Sequence, residues 1–137
     1  MLKRKMEKFR TETDSLGNIK VPSSAYYGAQ TQRAKNNFPI SGYRMPREFI
    51  HAFGIIKKAA AHTNVQLELL DNKIADAIIK AADELIQGRY DHDFVVDVYQ
   101  TGSGTSTNMN ANEIIANRAI EILGGKIGRK EPVHPKD

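Results

Sequence analysis

From Pro46 onward the apolar residues recur at steps of three and four, so that Phe49, Phe53, Ile56, Ala60 and Leu67 fall close to one side of a helix. Pro46 suits the start of that helix, because its torsion is already near the helical value and its missing N–H would go unpaired in a first turn. A second run of the same period, Ile74, Ile78, Ala81 and Leu85, follows Asp71 and stops at Gly88. Asp71 has the side chain to cap a helix start, and Gly88 suits a helix end. The short connection predicts that the two helices form an antiparallel pair. A third helix is expected from about Thr107, marked by Ile115, Ala119, Ile122 and Leu123, with Gly124 and Gly125 as its stop.

Upstream the period changes. Thr11, Thr13, Ile19 and Val21 favour extended backbone, and the run Asp14, Ser15, Leu16, Gly17, Asn18 carries turn chemistry, which predicts a short hairpin within residues 9–22. The more polar stretch 26–38 predicts a short helix over about 28–36. Phe94, Val95, Val96, Val98 and Tyr99 have the propensity of a buried strand, and Pro132 and Pro135 predict a looped tail from Lys126. No repeat, low-complexity block or linker divides the chain, so the pattern gives one mainly α unit, residues 1–137, with a possible short β-hairpin near its start.

Length and composition narrow the function. At 137 residues the chain makes about one domain with a modest core. It has no cysteine, so disulfides, thiolate metal sites and cysteine nucleophiles are excluded and a cytoplasmic setting is expected. No apolar run reaches the roughly 20 residues of a membrane span, and the first eight residues carry charge without the apolar stretch of a secretion signal. The net charge of +4 does not point to nucleic acid. Lys3, Arg4, Lys5 and Lys8 belong to a start expected to fray, and the other basic residues are interspersed with acids, without aromatic platforms. His51, His62 and His92 lack metal-ligand spacing, and Asp91 and Asp93 beside His92 are too close in sequence to converge without a special turn, so no metal is assigned.

The segment with most chemistry is 99–113, YQTGSGTSTNMNANE. Small flexible residues, hydroxyls and carboxamides stand just ahead of a helical segment. Glycines let backbone approach closely, hydroxyls donate, and the first amides of a helix point toward negative charge. A carboxylate is the natural guest. Ser103 and Thr105 are the best donors, Gly104 permits close approach, and Asn108 or Asn112 is expected to order the loop. A nucleotide-phosphate loop fits less well, because the Gly-Lys-Ser/Thr ending is missing.

This segment resembles the first signature of the class II fumarases in the fumarase/aspartase superfamily, T-G-S-G-T-x-x-N-M-N-x-N-E, with every fixed position present. Val21-Pro22, the run from Tyr26 to Thr31, Lys57-Lys58-Ala59-Ala60-Ala61 and Val133-His134-Pro135 resemble the same family in the same order, so the likeness covers nearly the whole chain. It implies the N-terminal portion of a longer helical lyase that reversibly hydrates fumarate to malate without metal or organic cofactor. It also implies a homotetramer whose active sites gather residues from three subunits, and a non-sheet approach through residues 93–100. By the resemblance, Ser103, Gly104 and Thr105 bind substrate. His134, Pro135, Lys136 and Asp137 correspond to a His-Pro-Asn-Asp motif forming a second dicarboxylate site, with Lys136 in place of the carboxamide. A lysine attracts an anion as a point charge but lacks an amide's paired donor and acceptor.

The family's proton-abstracting serine lies on a later Gly-Ser-Ser loop that has no match here, since Ser23-Ser24 is followed by Ala25, Tyr26 and Tyr27. No catalytic residue is therefore assigned in this chain, and the chain alone is expected to be inactive. Two other readings stay open. Aspartase, from the same superfamily, has Gly-Gly-Ala-Gly-Thr in its signature, which Thr101 and Ser103 disfavour. The other is a non-enzymatic helical module that binds anions or a partner.

Overall fold

The computed structural model describes residues 8–137; the frayed start expected at Lys3, Arg4 and Lys5 lies outside them. Strands β1 (Phe9–Asp14) and β2 (Gly17–Pro22) pair antiparallel, from Phe9 opposite Pro22 to Asp14 opposite Gly17. This is the expected hairpin. Gly17 turns the chain at φ 101°, a conformation that costs glycine little, and Asp14 Oδ1 accepts the Leu16 amide at 2.9 Å.

The alternation along β1 puts charge, not apolar surface, toward the body. Arg10 donates to the carbonyls of Pro22, Ala25 and Tyr27. Glu12 accepts the Ala29 amide at 3.0 Å, and Asp14 holds Arg33 at 2.7 Å. The hairpin is thus fastened by charge-assisted hydrogen bonds to the chain that follows it.

Helix α1 (Ala29–Asn37) begins one residue later than the sequence predicts. Its first amides meet a carboxylate from far along the chain: Glu113, 2% exposed, accepts from Gly28, Gln30 and Thr31 at 2.9–3.0 Å. A buried carboxylate is tolerated there because the helix start supplies both donors and positive potential. Gly28 makes the approach feasible. A Cβ at that position would stand 2.8 Å from Glu12 Oε2 and 2.9 Å from Glu113 Cδ.

Helices α2 (Arg47–Gln66) and α3 (Asn72–Ile86) form the antiparallel pair. The Arg47 guanidinium reaches the Ile86 carbonyl, Gly54 lies against Ile86, and Lys58 pairs with Asp83. Asp71 caps α3, accepting the amides of Lys73 and Ile74. The predicted face of α3 is the one that packs, with Ile78, Ala81 and Leu85 buried and Ile74 partly so.

The face of α2 is different. Its buried positions are Ile50, Gly54 and Ala61, and of the predicted face Phe53 is partly buried against the core, whereas Phe49 (44% exposed), Ile56 (59%) and Leu67 (60%) point away from it. The helix is turned by about 100°, one residue step, from the face its large side chains mark. Close packing is the reason. A Cβ on Gly54 would come within 2.6 Å of Ile86 Cγ1, so the small residue lets α3 approach where a large one would hold it off.

Helix α4 (Thr105–Ile122) starts two residues before its predicted position and is the central element, burying Ala111, Ile114, Ile115, Ala119 and Ile120. Residues 93–100 form no strand: a 3-10 turn at Asp91–Asp93 leads into irregular chain, as the family likeness implied. Side chains replace a ladder there, since the Val95 amide donates to Asn110 Oδ1 and Asn110 Nδ2 donates to the Asp93 carbonyl. The tail from Lys126 is looped and anchored by buried Val133. The architecture is mainly α with one short hairpin. No helix among the described residues is long and apolar enough to cross a membrane.

Candidate functional site

The glycine-rich segment meets α4 at Gly104, whose left-handed backbone (φ 70°, ψ 13°) sits at the N-cap. Its amide donates to the Thr101 carbonyl at 2.9 Å, and its carbonyl accepts the amides of Thr107 and Asn108 at 3.2 and 3.4 Å. Gln100 fixes the other side. Its Oε1 accepts the Thr107 amide at 2.9 Å, while its Nε2 donates to the Asp97 carbonyl and to Thr107 Oγ1.

Gln100 therefore orders the loop alongside Asn108, one of the two residues expected to do so. The Asn108 amide donates to the Gly104 carbonyl while its Oδ1 accepts from Lys57 Nζ at 2.7 Å, whereas Asn112 Nδ2 donates to Met109 Sδ at 3.8 Å, away from the loop. The sequence did hold the signal: a carboxamide ahead of a glycine-rich loop can satisfy the amides of the helix that follows. Asn110 and Glu113, two further fixed polar positions of the signature, are buried anchors for residues 93–95 and for α1.

With Thr107 and Asn108 engaged, the amides of Thr105 and Ser106 have no acceptor among the described residues, as befits the first turn of a helix. Ser103 and Thr105 are exposed, and a Cβ built at Gly102 or Gly104 meets nothing within 4 Å. The turn thus combines two accessible hydroxyls, two free amides and open space. Such a surface can donate several hydrogen bonds to one anion, with the helix start adding positive potential.

Behind the turn, buried Asp97 accepts from Tyr99, Ser41 and Gly42. Burial raises its pKa, but these donors outweigh that effect and hold it well below the usual carboxylate range. Asp97 and the Val98-to-Tyr43 backbone bond tie the 41–43 loop to the approach. Lys57 is half-buried, and burial lowers its pKa.

The tail residues form a separate place. The amide of His134 donates to Asp137 Oδ2 at 2.7 Å, that of Lys136 to His134 Nδ1 at 3.1 Å, and that of Asp137 to the His134 carbonyl. His134, Pro135, Lys136 and Asp137 close one side of a cavity of about 140 Å³ whose other walls include Lys57, Asn112, Ile78 and Ala116. Thr105 and Asn112 are seven residues apart on α4, about 10 Å at the helical rise. Ser103, Gly104 and Thr105 do not line that cavity.

His51, His62 and His92 are exposed, and Asp91 pairs with Arg47. Among the described residues no group of three acidic or imidazole side chains is arranged to hold a metal ion.

Comparison with known proteins gives this geometry a setting. The family described as "Lyase" matches residues 17–137. The chain is 61% identical over 131 residues to a class II fumarate hydratase of Halobacterium salinarum, spanning 96% of this chain and 28% of that protein. It is also 61% identical to the mitochondrial fumarate hydratase of Danio rerio, covering 96% of this chain and 26% of that one. Among solved structures, a fumarate lyase:delta crystallin from Brucella melitensis superposes with a TM-score of 0.91 at 45% identity, over 95% of this chain and 31% of that chain. The chain thus spans little more than a quarter of the curated relatives it matches. Through a match that takes in the hairpin's second strand, all four helices and the signature turn, the chain belongs to the lyase family, in the branch that resembles the class II fumarate hydratases.

Proposed function

We propose that this chain is the substrate-contacting N-terminal part of a class II fumarate hydratase, which reversibly hydrates fumarate to malate. The observation that carries the reading is the complete signature at the start of α4, with its two hydroxyls and two amides free at an exposed turn. Both substrates carry two carboxylates. Removing the proton next to one of them drives negative charge onto its oxygens, so fixed donors around that group stabilise the transition state more than the ground state. Ser103, Gly104 and Thr105 take this role. The base comes from elsewhere in the assembled enzyme, a homotetramer in this reading, and the isolated chain is inactive. The His134–Asp137 turn, with Lys136 and Lys57 on the same cavity, serves as a second dicarboxylate site.

The test is to assay the intact enzyme with malate and with aspartate. Turnover of malate and not aspartate is the expected result; turnover of aspartate alone overturns it in favour of the ammonia-lyase reaction. In the same enzyme Thr105→Val should lower kcat/KM on the order of 100-fold, the scale of losing one oxyanion donor, with an unchanged thermal midpoint. Wild-type kinetics in that variant would remove Thr105 from the site.

A further inference from the structure

We infer that Lys57 is a positioning residue for the Ser103-Gly104-Thr105 turn: its ammonium fixes Asn108 against Gly104 and supplies a positive charge behind the first turn of α4. The inference rests on the hydratase reading for its kinetic consequence, but not for its geometry.

Lys57 Nζ donates to Asn108 Oδ1 at 2.7 Å, and the Asn108 amide donates to the Gly104 carbonyl. Asn108 thus joins the two elements, its side chain taking the ammonium from α2 and its amide making the i→i+4 bond of α4 to the glycine of the turn at 3.4 Å. Its neighbour Lys58 has an acidic partner in Asp83. Lys57 forms no ion pair among the described residues, and the only carboxylate on the cavity it lines, Asp137, is engaged by the His134 amide. Burial lowers its pKa, with no acidic neighbour opposing the effect.

An ammonium kept half-buried without a counter-ion stabilises a fold poorly, because desolvation is not recovered from a partner. An apolar side chain of similar length would line the same cavity as Ala60, Ala61 and Ile78 at lower cost. What such a residue gains is potential. In a partly desolvated setting one positive charge adds to that of the helix start and favours an arriving carboxylate without touching it. The side-chain hydrogen bond also holds the first turn of α4 in place, which keeps the Thr105 and Ser106 amides aimed outward.

The intact enzyme separates this role from simple packing. Lys57→Met and Lys57→Gln should each raise KM for malate on the order of tenfold with kcat changed less than about threefold, while Lys57→Arg restores most of the KM. The thermal midpoint of Lys57→Met should stay level or rise. Hydrogen exchange read at residues 104–108 should quicken in Lys57→Met and not in Lys57→Arg. Unchanged KM and unchanged exchange in Lys57→Met overturn the inference, as does a loss of thermal midpoint that Lys57→Arg shares. A wild-type enzyme inert toward malate would sink the hydratase reading alone, since the exchange measurement still decides the role of Lys57.

Discussion

Asp93 and Asp97 stand four residues apart in the same irregular approach, both buried, and their surroundings move them in opposite directions. For Asp93, burial dominates and raises the pKa above the ordinary 3.8, against a Tyr26 amide and the charges of His92 and Arg10. For Asp97, burial also acts upward, but donors from Tyr99, Ser41 and Gly42 prevail and lower it. The signs follow from which state takes the proton first. With Asp97 the unfolded chain does, so its contribution is complete above about pH 4 and is lost as pH falls through the lower folded value. With Asp93 the folded chain does, so its contribution is present below the ordinary value and is lost as pH rises. Asp97→Asn should therefore lower the thermal midpoint clearly at about pH 7, with the gap from wild type narrowing toward about pH 3. A gap of constant width across that range would show that the carboxylate is not the group at work.

At the scale of elements, α1 depends on contacts its own sequence does not announce. Gly28→Ala should cost about 1–3 kcal/mol, the usual range for overpacking a buried site, because the added methyl meets two carboxylates bonded to the helix start. A urea titration measures the loss, and faster amide exchange confined to residues 29–34 would locate it. A midpoint within error of wild type would mean that Glu12 and Glu113 yield easily.

The same scale shows what could be read in the chain. The hairpin was legible because its turn chemistry is local, and so were the Asp71 cap and the packed face of α3. The packed face of α2 was not. Periodicity weights large side chains, whereas the contact with α3 is decided by Gly54 and Ala61, whose importance appears only once a second helix lies across them. Within the site, the hydroxyl and glycine positions of the turn followed from residue type. Gln100, Asn110 and Glu113 needed the fold, since each bonds a backbone group whose approach is set by tertiary packing.

For the whole molecule, the turn stands exposed and Ser103, Gly104 and Thr105 do not line the cavity walled by Lys57 and Asp137, so the turn meets at most a part of a diacid. Binding to the isolated chain must still overcome the lost motional freedom of the ligand. Titration calorimetry of the 137-residue chain with malate should thus show a Kd weaker than about 1 mM, a binding free energy no more favourable than about −4 kcal/mol. Micromolar affinity would mean that the turn is a complete receptor by itself.

Gln100, Gly104, Asn110 and Glu113 sit in one stretch of fourteen residues, yet the first two shape the outer turn and the last two clasp the interior. Anyone seeking to alter what this turn could bind therefore has a narrow playground. Diversity belongs at Thr101, Ser103, Thr105 and Ser106, whose side chains reach no buried partner, while a library that randomised the segment through Glu113 would be dominated by clones that never assemble at all.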